Sequence, residues 1–335
     1  MNLKHKYFLF GAGVLLVALT IRSIFFYQHL QQPLVLSDTY IINVGNGSNF
    51  TQLSKELEEK GILPSASDLL LYVRVKNIAN QMRAGEYAVT PGTTALGLLQ
   101  MLIRGDVKHY DVRLGEGWTL QQAIKALQEH PAISAVLNPD DPESVKAAFG
   151  IEFYPEGLFF PDTYSFTRGT TDLEILKRSW NLMQQNLDLA WTNRADGLPL
   201  NSPREALILA SIVEKETALV TEYSKIAGVF VLRMQKNMRL QTDPTVIYGL
   251  GSGFDGNLTK VQLQTDSPWN TYTRDGLPPT PIALPSQAAI TASMHPEVLD
   301  LLYFVARGDG SHQFSSTLDQ HNLAVQQYQL KTSIQ

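Results

Sequence analysis

The feature that most constrains this chain is a long apolar segment near its amino terminus. Residues 7–27 (YFLFGAGVLLVALTIRSIFFY) carry a single charged residue, Arg22. As an α-helix the segment would be about 31 Å long, which is close to the thickness of the hydrocarbon core of a membrane. A cleaved signal peptide needs a small-x-small cleavage site after its apolar run, and residues 19–33 do not offer one. We therefore predict an uncleaved membrane anchor, with a buried core helix as the alternative.

The charges around this segment predict its orientation. Lys4 and Lys6 precede it, whereas Arg22 is the only charge near its other end. The positive-inside rule then leaves residues 1–6 in the cytoplasm and exports the chain that follows a linker at residues 28–39. Because the chain has no cysteine, the exported part fits a bacterial periplasm better than an animal secretory pathway. We expect a single-pass protein of the bacterial inner (cytoplasmic) membrane, with the rest of the chain in the periplasm.

Composition excludes several classes of function. The 27 Lys and Arg against 32 Asp and Glu give a net charge of −5, and no block of like charge occurs, so we expect no nucleic-acid partner. The absence of cysteine excludes thiolate zinc sites, iron–sulfur clusters and thiol nucleophiles. The seven histidines lie far apart and form no HExxH spacing, so we predict no metal and no cofactor.

Two segments of the exported part repeat one order of predicted elements. A strand from Tyr40 and another from Tyr110 are each followed by a Gly-x-Gly turn and an amphipathic helix. The pattern predicts an α+β fold, with a small β-α-α-β subdomain at residues 40–106 and a larger domain at residues 107–330. The repeated unit is explained equally well by ordinary packing of a helix on a sheet and by a small glycan-binding module similar to LysM domains.

A helix predicted from Pro203 carries the strongest candidate for catalysis. Its residues 206–213 are apolar on nearly every face, and Glu214 and Glu216 follow directly. A carboxyl that acts as a general acid at neutral pH has to be partly desolvated. At 100° per residue, Glu214 shares its face with small residues, whereas the face of Glu216 can reach water, so Glu214 is the better candidate. The alternative is a helix-end salt-bridge cluster of both glutamates with Lys215 and Arg233.

Two other segments are suited to binding a polyol. Residues 155–166 combine aromatic rings with Glu156 and Asp162, which favours either sugar binding or a hydrophobic loop with Asp162 as a local cap. Residues 238–249 place hydrogen-bonding side chains beside an apolar run that we interpret as a strand. The glycine-rich residues 251–256 formally match GxGxxG, but the pattern favours a flexible hairpin over a dinucleotide site.

Several blocks in a fixed order give the chain a family resemblance. It resembles the YceG-like (MltG) endolytic murein transglycosylases over nearly the whole exported region, in residues 156–163 (EGLFFPDT), 210–217 (ASIVEKET), 239–249 (RLQTDPTVIYG), 270–272 (NTY), 276–279 (GLPP), 303–306 (YFVA) and 310–314 (GSHQF). Thr280, Leu284 and Ser286 depart from the family pattern, which leaves the contacts of their loop in doubt. The family architecture is an anchor, a LysM-like subdomain and a catalytic domain.

The resemblance implies a reaction and a set of residues. It implies endolytic cleavage of the β-1,4 bond between N-acetylmuramic acid and N-acetylglucosamine in nascent glycan strands, leaving 1,6-anhydro ends and limiting strand length. Glu214 is the expected catalytic residue, with no cofactor, and penicillin-binding peptidoglycan synthases are candidate partners. Substrate binding or orientation is expected for Glu156, Asp162, Glu216, Gln241, Thr242, Asp243, Asn270, Tyr272 and His312.

Three other functions stay open from the sequence. An anchored peptidoglycan-binding scaffold would grip glycan without turnover. A hydrolase would use Asp162 or Asp243 as a second carboxylate. A pyridoxal-phosphate lyase is the third, although an exported, tethered chain is the wrong place for that cofactor.

Overall fold

The computed structural model describes residues 3–330, with side chains from residue 10 onward. The chain divides into two compact units: unit 1 runs to Tyr110, and unit 2 starts at Asp111. Helices and short two-stranded sheets alternate through both units, so the fold is α+β as predicted.

The apolar amino-terminal segment forms one long helix, α1 (Leu3–Leu30). Its stretch Phe10–Leu30 has a mean hydropathy of 1.8 and is long enough to cross a membrane. Side chains along it, such as Phe10, Leu16 and Phe25, are exposed over most of their surface. Such surface is unfavourable in water and favourable in lipid, so α1 fits a single-pass anchor. The side of the membrane on which the rest of the chain lies stays a prediction.

Unit 1 continues as β-α-α-β followed by one more helix. In order, its elements are β1 (Tyr40–Val44), α2 (Phe50–Glu59), α3 (Ala66–Val75), β2 (Gly85–Val89) and α4 (Ala95–Arg104). The two strands pair antiparallel, with Tyr40 opposite Val89. Asn49, Ser65 and Thr94 cap the three helices by accepting backbone N–H groups. The order of elements agrees with the sequence pattern, whereas the likeness to LysM domains stays a prediction.

Unit 2 contains the remaining elements. Its first strand, β3 (His109–Arg113), begins two residues before Asp111 and pairs with a strand 50 residues further along the chain, and the last two strands form an antiparallel pair. The elements after β3 are α5 (Leu120–Gln128), α6 (Pro142–Phe149), β4 (Thr163–Thr167), α7 (Asp172–Thr192), α8 (Pro203–Glu216), α9 (Tyr223–Gln235), α10 (Asp243–Leu250), α11 (Lys260–Gln264), α12 (Gln287–Met294), β5 (Tyr303–Ala306), β6 (His312–Ser315) and α13 (Leu318–Tyr328).

Helix α8 forms the centre of unit 2. All its residues from Ala206 to Val213 are buried, and α7, α9 and α12 pack around it. Ser202 caps its start by accepting the N–H of Glu205. An apolar helix enclosed in this way is rigid, so the polar residues at its end have well-defined positions.

The structure corrects two local predictions. The segment interpreted as a strand within residues 238–249 forms α10 instead, because Pro244 cannot donate to a sheet but fits the first turn of a helix. The segment interpreted as a flexible hairpin begins with a short 3₁₀ turn, Gly251–Gly253, that extends α10. The strand β4 lies in a segment for which the pattern gave a hydrophobic loop as one alternative.

Candidate active site

Glu214 lies in the last turn of α8, and its carboxylate is held by three donors. Its Oε2 accepts the backbone N–H of Ser286 at 2.9 Å and the Ser286 hydroxyl at 2.6 Å. Its Oε1 accepts the Tyr223 hydroxyl at 3.2 Å. Glu214 is half-buried. These bonds fix both oxygens while leaving the carboxylate next to solvent, which suits a group that exchanges a proton with a substrate.

Ser286 has a second role at the start of α12. Its hydroxyl accepts the N–H of Ala289 as the helix cap while it donates to Glu214. The amino-terminal end of α12, which carries partial positive charge, therefore faces the Glu214 carboxylate. Burial and the nearby Glu214 raise the pKa of Tyr223, so this phenol stays protonated and continues to donate.

A glycine turn borders the same carboxylate. A Cβ at Gly117 would lie 3.9 Å from Cγ of Glu214 and 3.6 Å from Cδ of Lys215. Lys215 Nζ donates to the Gly117 carbonyl at 3.1 Å. The turn is fixed by Leu284, which exchanges backbone hydrogen bonds with Gly117 and Trp118. Gly117 has φ = 70°, a left-handed conformation that glycine adopts without strain, so this turn lies directly beside Glu214.

Glu216 points to the opposite side of α8 and is half-buried, as Glu214 is. Its carboxylate accepts the Thr242 hydroxyl. Burial raises the pKa of Glu216 to about 7, and the charge of Asp243 acts in the same direction. The start of α10 lies against this side of α8, and Glu216 also lines a cavity there, so the expectation that its face can reach water stays a prediction. The salt-bridge alternative is not what Arg233 forms: it donates to the carbonyls of Leu240 and Leu302.

A polar cavity of about 520 Å³ opens beside Glu216. Five of the predicted substrate residues line it: Glu216, Gln241, Asp243, Tyr272 and His312. The Tyr272 hydroxyl donates to Oδ1 of Asp243 at 2.5 Å. Gln241 has φ = 49°, a left-handed conformation that is strained for a residue with a side chain. The cavity therefore combines acceptors and donors at fixed positions, as a sugar-binding site requires.

Two further predicted residues form hydrogen bonds to residues that line this cavity. Thr242 is buried, and its hydroxyl donates to Glu216. Asn270 is buried as well, and its Nδ2 donates to the carbonyls of residues 262, 263 and 265 while its Oδ1 accepts the N–H of Tyr272. Asn270 therefore positions Tyr272 without lining the cavity itself.

The remaining predicted residues lie elsewhere. Glu156 is buried beneath a different cavity, and burial raises its pKa to about 7. Asp162 is exposed and accepts the N–H of Thr163, which matches the alternative of a local cap. His312, which does line the polar cavity, is held by Glu222, with 2.7 Å between Nδ1 and Oε2. Within residues 3–330, no three His, Asp or Glu side chains are grouped so that they could hold a metal ion.

The sequence reasoning missed three features of the site. Tyr223, Ser286 and the turn around Gly117 reach Glu214 from positions 9, 72 and 97 residues away along the chain. The capping signature at Ser286 was visible before the helix of residues 287–294. Its second contact depends on tertiary packing, for which the local pattern carries no signal.

These features define an α+β protein with an apolar amino-terminal helix and two carboxyls on opposite sides of the end of a buried helix. The chain belongs to the YceG-like family, whose sequence model matches residues 42–327.

Named relatives and a solved structure agree with this assignment. The chain is 31% identical over 310 residues to the endolytic murein transglycosylase of Bacillus subtilis (strain 168), covering 87% of this chain and 85% of that protein. It is 28% identical to the endolytic murein transglycosylase of Streptococcus pneumoniae (strain ATCC BAA-255 / R6), covering 96% of this chain and 65% of that protein. A crystal structure of the yceG-like protein lmo1499 from Listeria monocytogenes superposes with a TM-score of 0.54 at 30% identity, covering 85% of this chain and 99% of that chain.

Proposed function

We propose that this chain is an endolytic peptidoglycan lytic transglycosylase. It cleaves the β-1,4 bond between N-acetylmuramic acid and N-acetylglucosamine within nascent glycan strands and so limits strand length. The observation that carries the proposal is the Glu214 carboxylate, fixed by Ser286 and Tyr223 beside an open glycine turn. The family and the names of the relatives support the same reaction.

One carboxyl is sufficient for this reaction. Protonated Glu214 donates its proton to the glycosidic oxygen as the bond from that oxygen to C1 of the muramic residue breaks. The C6 hydroxyl of the same residue forms the new bond to C1 and returns its proton to Glu214, which leaves a 1,6-anhydro end. No water is consumed. Ser286 and Tyr223 stabilise the carboxylate between the two transfers.

The polar cavity beside Glu216 binds a sugar ring of the strand. Its volume of about 520 Å³ lies within the range of small-ligand sites. Asp243 and Gln241 offer acceptors and donors to sugar hydroxyls, and Glu216 holds the start of α10 in place through Thr242. In this assignment Glu216 positions the binding residues, and Glu214 carries the proton.

The location follows from the anchor. Helix α1 holds the chain in the bacterial inner membrane, with the catalytic domain in the periplasm, where nascent strands are accessible. The β-α-α-β part of unit 1 is a LysM-like module that grips glycan, and penicillin-binding peptidoglycan synthases are the partners that supply nascent strands. The apolar surface of α1 and the order of elements in unit 1 support these assignments.

Product analysis tests the proposed reaction. The full chain in mild detergent is incubated with peptide-free glycan strands, and the new chain ends are identified by mass spectrometry. We expect internal cleavage and anhydro ends, and we expect Glu214→Gln to abolish both. Reducing ends would indicate a hydrolase with a second carboxylate, and bound but uncut strands would indicate a scaffold.

A further inference from the structure

A second cavity in unit 2 encloses about 990 Å³, and we call it the aromatic cavity. Four aromatic residues line it: Tyr154, Tyr248, Phe254 and Trp269. Lys215 also lines it, and this residue directly follows Glu214 in α8. The cavity therefore extends to within one residue of the proposed proton donor. Its volume is at the upper end of the range for small-ligand sites, about 1,000 Å³.

The indole of Trp269 is held in place at the wall of this cavity. Its Nε1 donates to the hydroxyl of Thr280 at 2.9 Å. Its ring meets that of Tyr248 edge to face, with 5.7 Å between centroids. A Cβ at Gly249 would lie 3.3 Å from Cβ of Trp269, so the glycine lets this residue approach α10.

The phenol of Tyr248 is held by a hydrogen bond to the buried carboxyl group of Glu156. Its hydroxyl donates to Glu156 Oε2 at 3.1 Å, while Glu156 Oε1 accepts the N–H of Leu120 at 2.8 Å. Glu156 therefore joins the start of α5 to α10 beneath the cavity. Because both ends of the aromatic pair are anchored, the rings form a rigid surface that loses little conformational entropy when a ligand binds.

The lining of the aromatic cavity also includes polar side chains. Gln121 and Gln122, in the first turn of α5, belong to it. Each is oriented by one side-chain hydrogen bond, Gln121 to Asp140 and Gln122 to the N–H of Thr119. A ligand that has both an apolar face and amide or hydroxyl groups matches this mixed lining. N-acetylated pyranose rings have this character, since their ring C–H groups form apolar faces and their substituents are polar.

We infer that the aromatic cavity binds two consecutive N-acetylated sugar rings of the glycan on the Lys215 side of the scissile bond, with Trp269 as the stacking surface. The inference rests on the proposed function and adds a specific subsite to it. The subsite is separate from the polar cavity beside Glu216: Asp243 at the start of α10 lines the polar cavity, whereas Ile247 and Tyr248 line the aromatic one.

The test compares variants of the full chain in mild detergent on peptide-free glycan strands. Trp269→Leu should raise KM roughly tenfold with little change in kcat, because stacking is lost while Glu214 is untouched. Trp269→Phe should restore most of the affinity, and Thr280→Val should raise KM by about threefold because the indole is no longer fixed. Trp191→Leu is the matched control, since that indole lies on α7 and packs against Arg194.

Binding of short β-1,4-linked N-acetylglucosamine oligomers, followed by calorimetry, separates this inference from the proposed function. If the wild type binds the oligomers and Trp269→Leu does not, the subsite is supported even where no cleavage occurs. Equal binding by wild type and Trp269→Leu overturns it. A Trp269→Phe variant as weak as Trp269→Leu also overturns it, because the indole would then have only a structural role.

Discussion

The two carboxyls at the end of α8 are two residues apart and have opposite environments. Glu214 has three hydrogen-bond donors around a half-buried carboxylate, supplied by Tyr223 and Ser286. Glu216 points about 200° away around the helix axis and lies in an enclosed site with the Thr242 hydroxyl as donor. The difference shows how one helix end can separate proton transfer from the positioning of a binding site.

Each environment suits a different task. Donors that surround a carboxylate stabilise its ionised form after it has released a proton and hold it for the return transfer. A carboxyl enclosed by protein loses its hydration, so burial raises the pKa of Glu216 to about 7 and disfavours its charge. The raised pKa at Glu216 is thus a consequence of packing, and the accessible carboxylate beside the glycine turn is the one that can meet a glycosidic oxygen.

The pH dependence of stability sharpens this comparison most. Because the pKa of Glu216 is about 7 in the folded state and 4.5 in an unfolded chain, the folded state binds the proton more tightly. The stability that Glu216 contributes through this difference in pKa is fully present below pH 4.5 and is lost as the pH rises to about 7. In the wild type, the raised pKa of Glu216 should lower the free energy of unfolding by about 3 kcal/mol between pH 4.5 and pH 8. The Glu216→Gln variant should not show this part of the decrease.

Urea unfolding followed by tryptophan fluorescence measures this difference, since all four tryptophans lie in unit 2. Glu156→Gln is the matched variant, because burial also raises the pKa of Glu156 to about 7. In each of these two single variants, about half of the wild-type change in unfolding free energy with pH should remain. An unchanged pH dependence in Glu216→Gln would contradict burial of that carboxyl.

Ser286→Ala is expected to affect both stability and turnover. It removes the cap of α12, which costs about 1 kcal/mol, and one of the donors to Glu214. We expect turnover to fall roughly tenfold, as for the loss of a hydrogen bond to a charged group. Ser202→Ala is the control, since Ser202 caps α8 in the same way and does not contact Glu214. Equal turnover in the two variants would show that Ser286 acts only as a cap.

Tyr223→Phe should have a smaller effect than Glu216→Gln has on stability or Ser286→Ala has on turnover. It removes the hydroxyl that lies 3.2 Å from Oε1 of Glu214 and keeps the ring. We expect kcat to fall about fivefold, consistent with about 1 kcal/mol for one hydrogen bond. Tyr164→Phe serves as control, because that hydroxyl donates to the carbonyl of Phe160. A larger loss than in Ser286→Ala would mean that the phenol contacts the substrate.

Local pattern was sufficient for much of the fold. The apolar run of residues 7–27, the capped helix from Pro203 and the β-α-α-β order of unit 1 each depend on neighbours in sequence, and the structure contains all three. The same reasoning failed at α10, where the apolar residues 246–248 outweighed Pro244 in the interpretation.

The candidate site was less accessible to sequence reasoning. Gln241, Asp243 and Tyr272 were predicted together from the family resemblance, and the cavity beside Glu216 contains them. The contact of Glu216 with Thr242 was not predicted, because helical periodicity does not show what packs against the end of a helix. Ser286 was missed as a donor for the same reason.

The central claim is that the proton donor is Glu214 and not Glu216, and the turnover of the two glutamine variants tests it most directly. Wild type, Glu214→Gln and Glu216→Gln are assayed as full chains on the same peptide-free glycan strands at saturating concentration. We predict that Glu214→Gln loses turnover by roughly a factor of 1,000 or more, while Glu216→Gln keeps at least about a tenth of the wild-type rate and still forms anhydro ends. Retained turnover in Glu214→Gln together with its loss in Glu216→Gln would contradict the account.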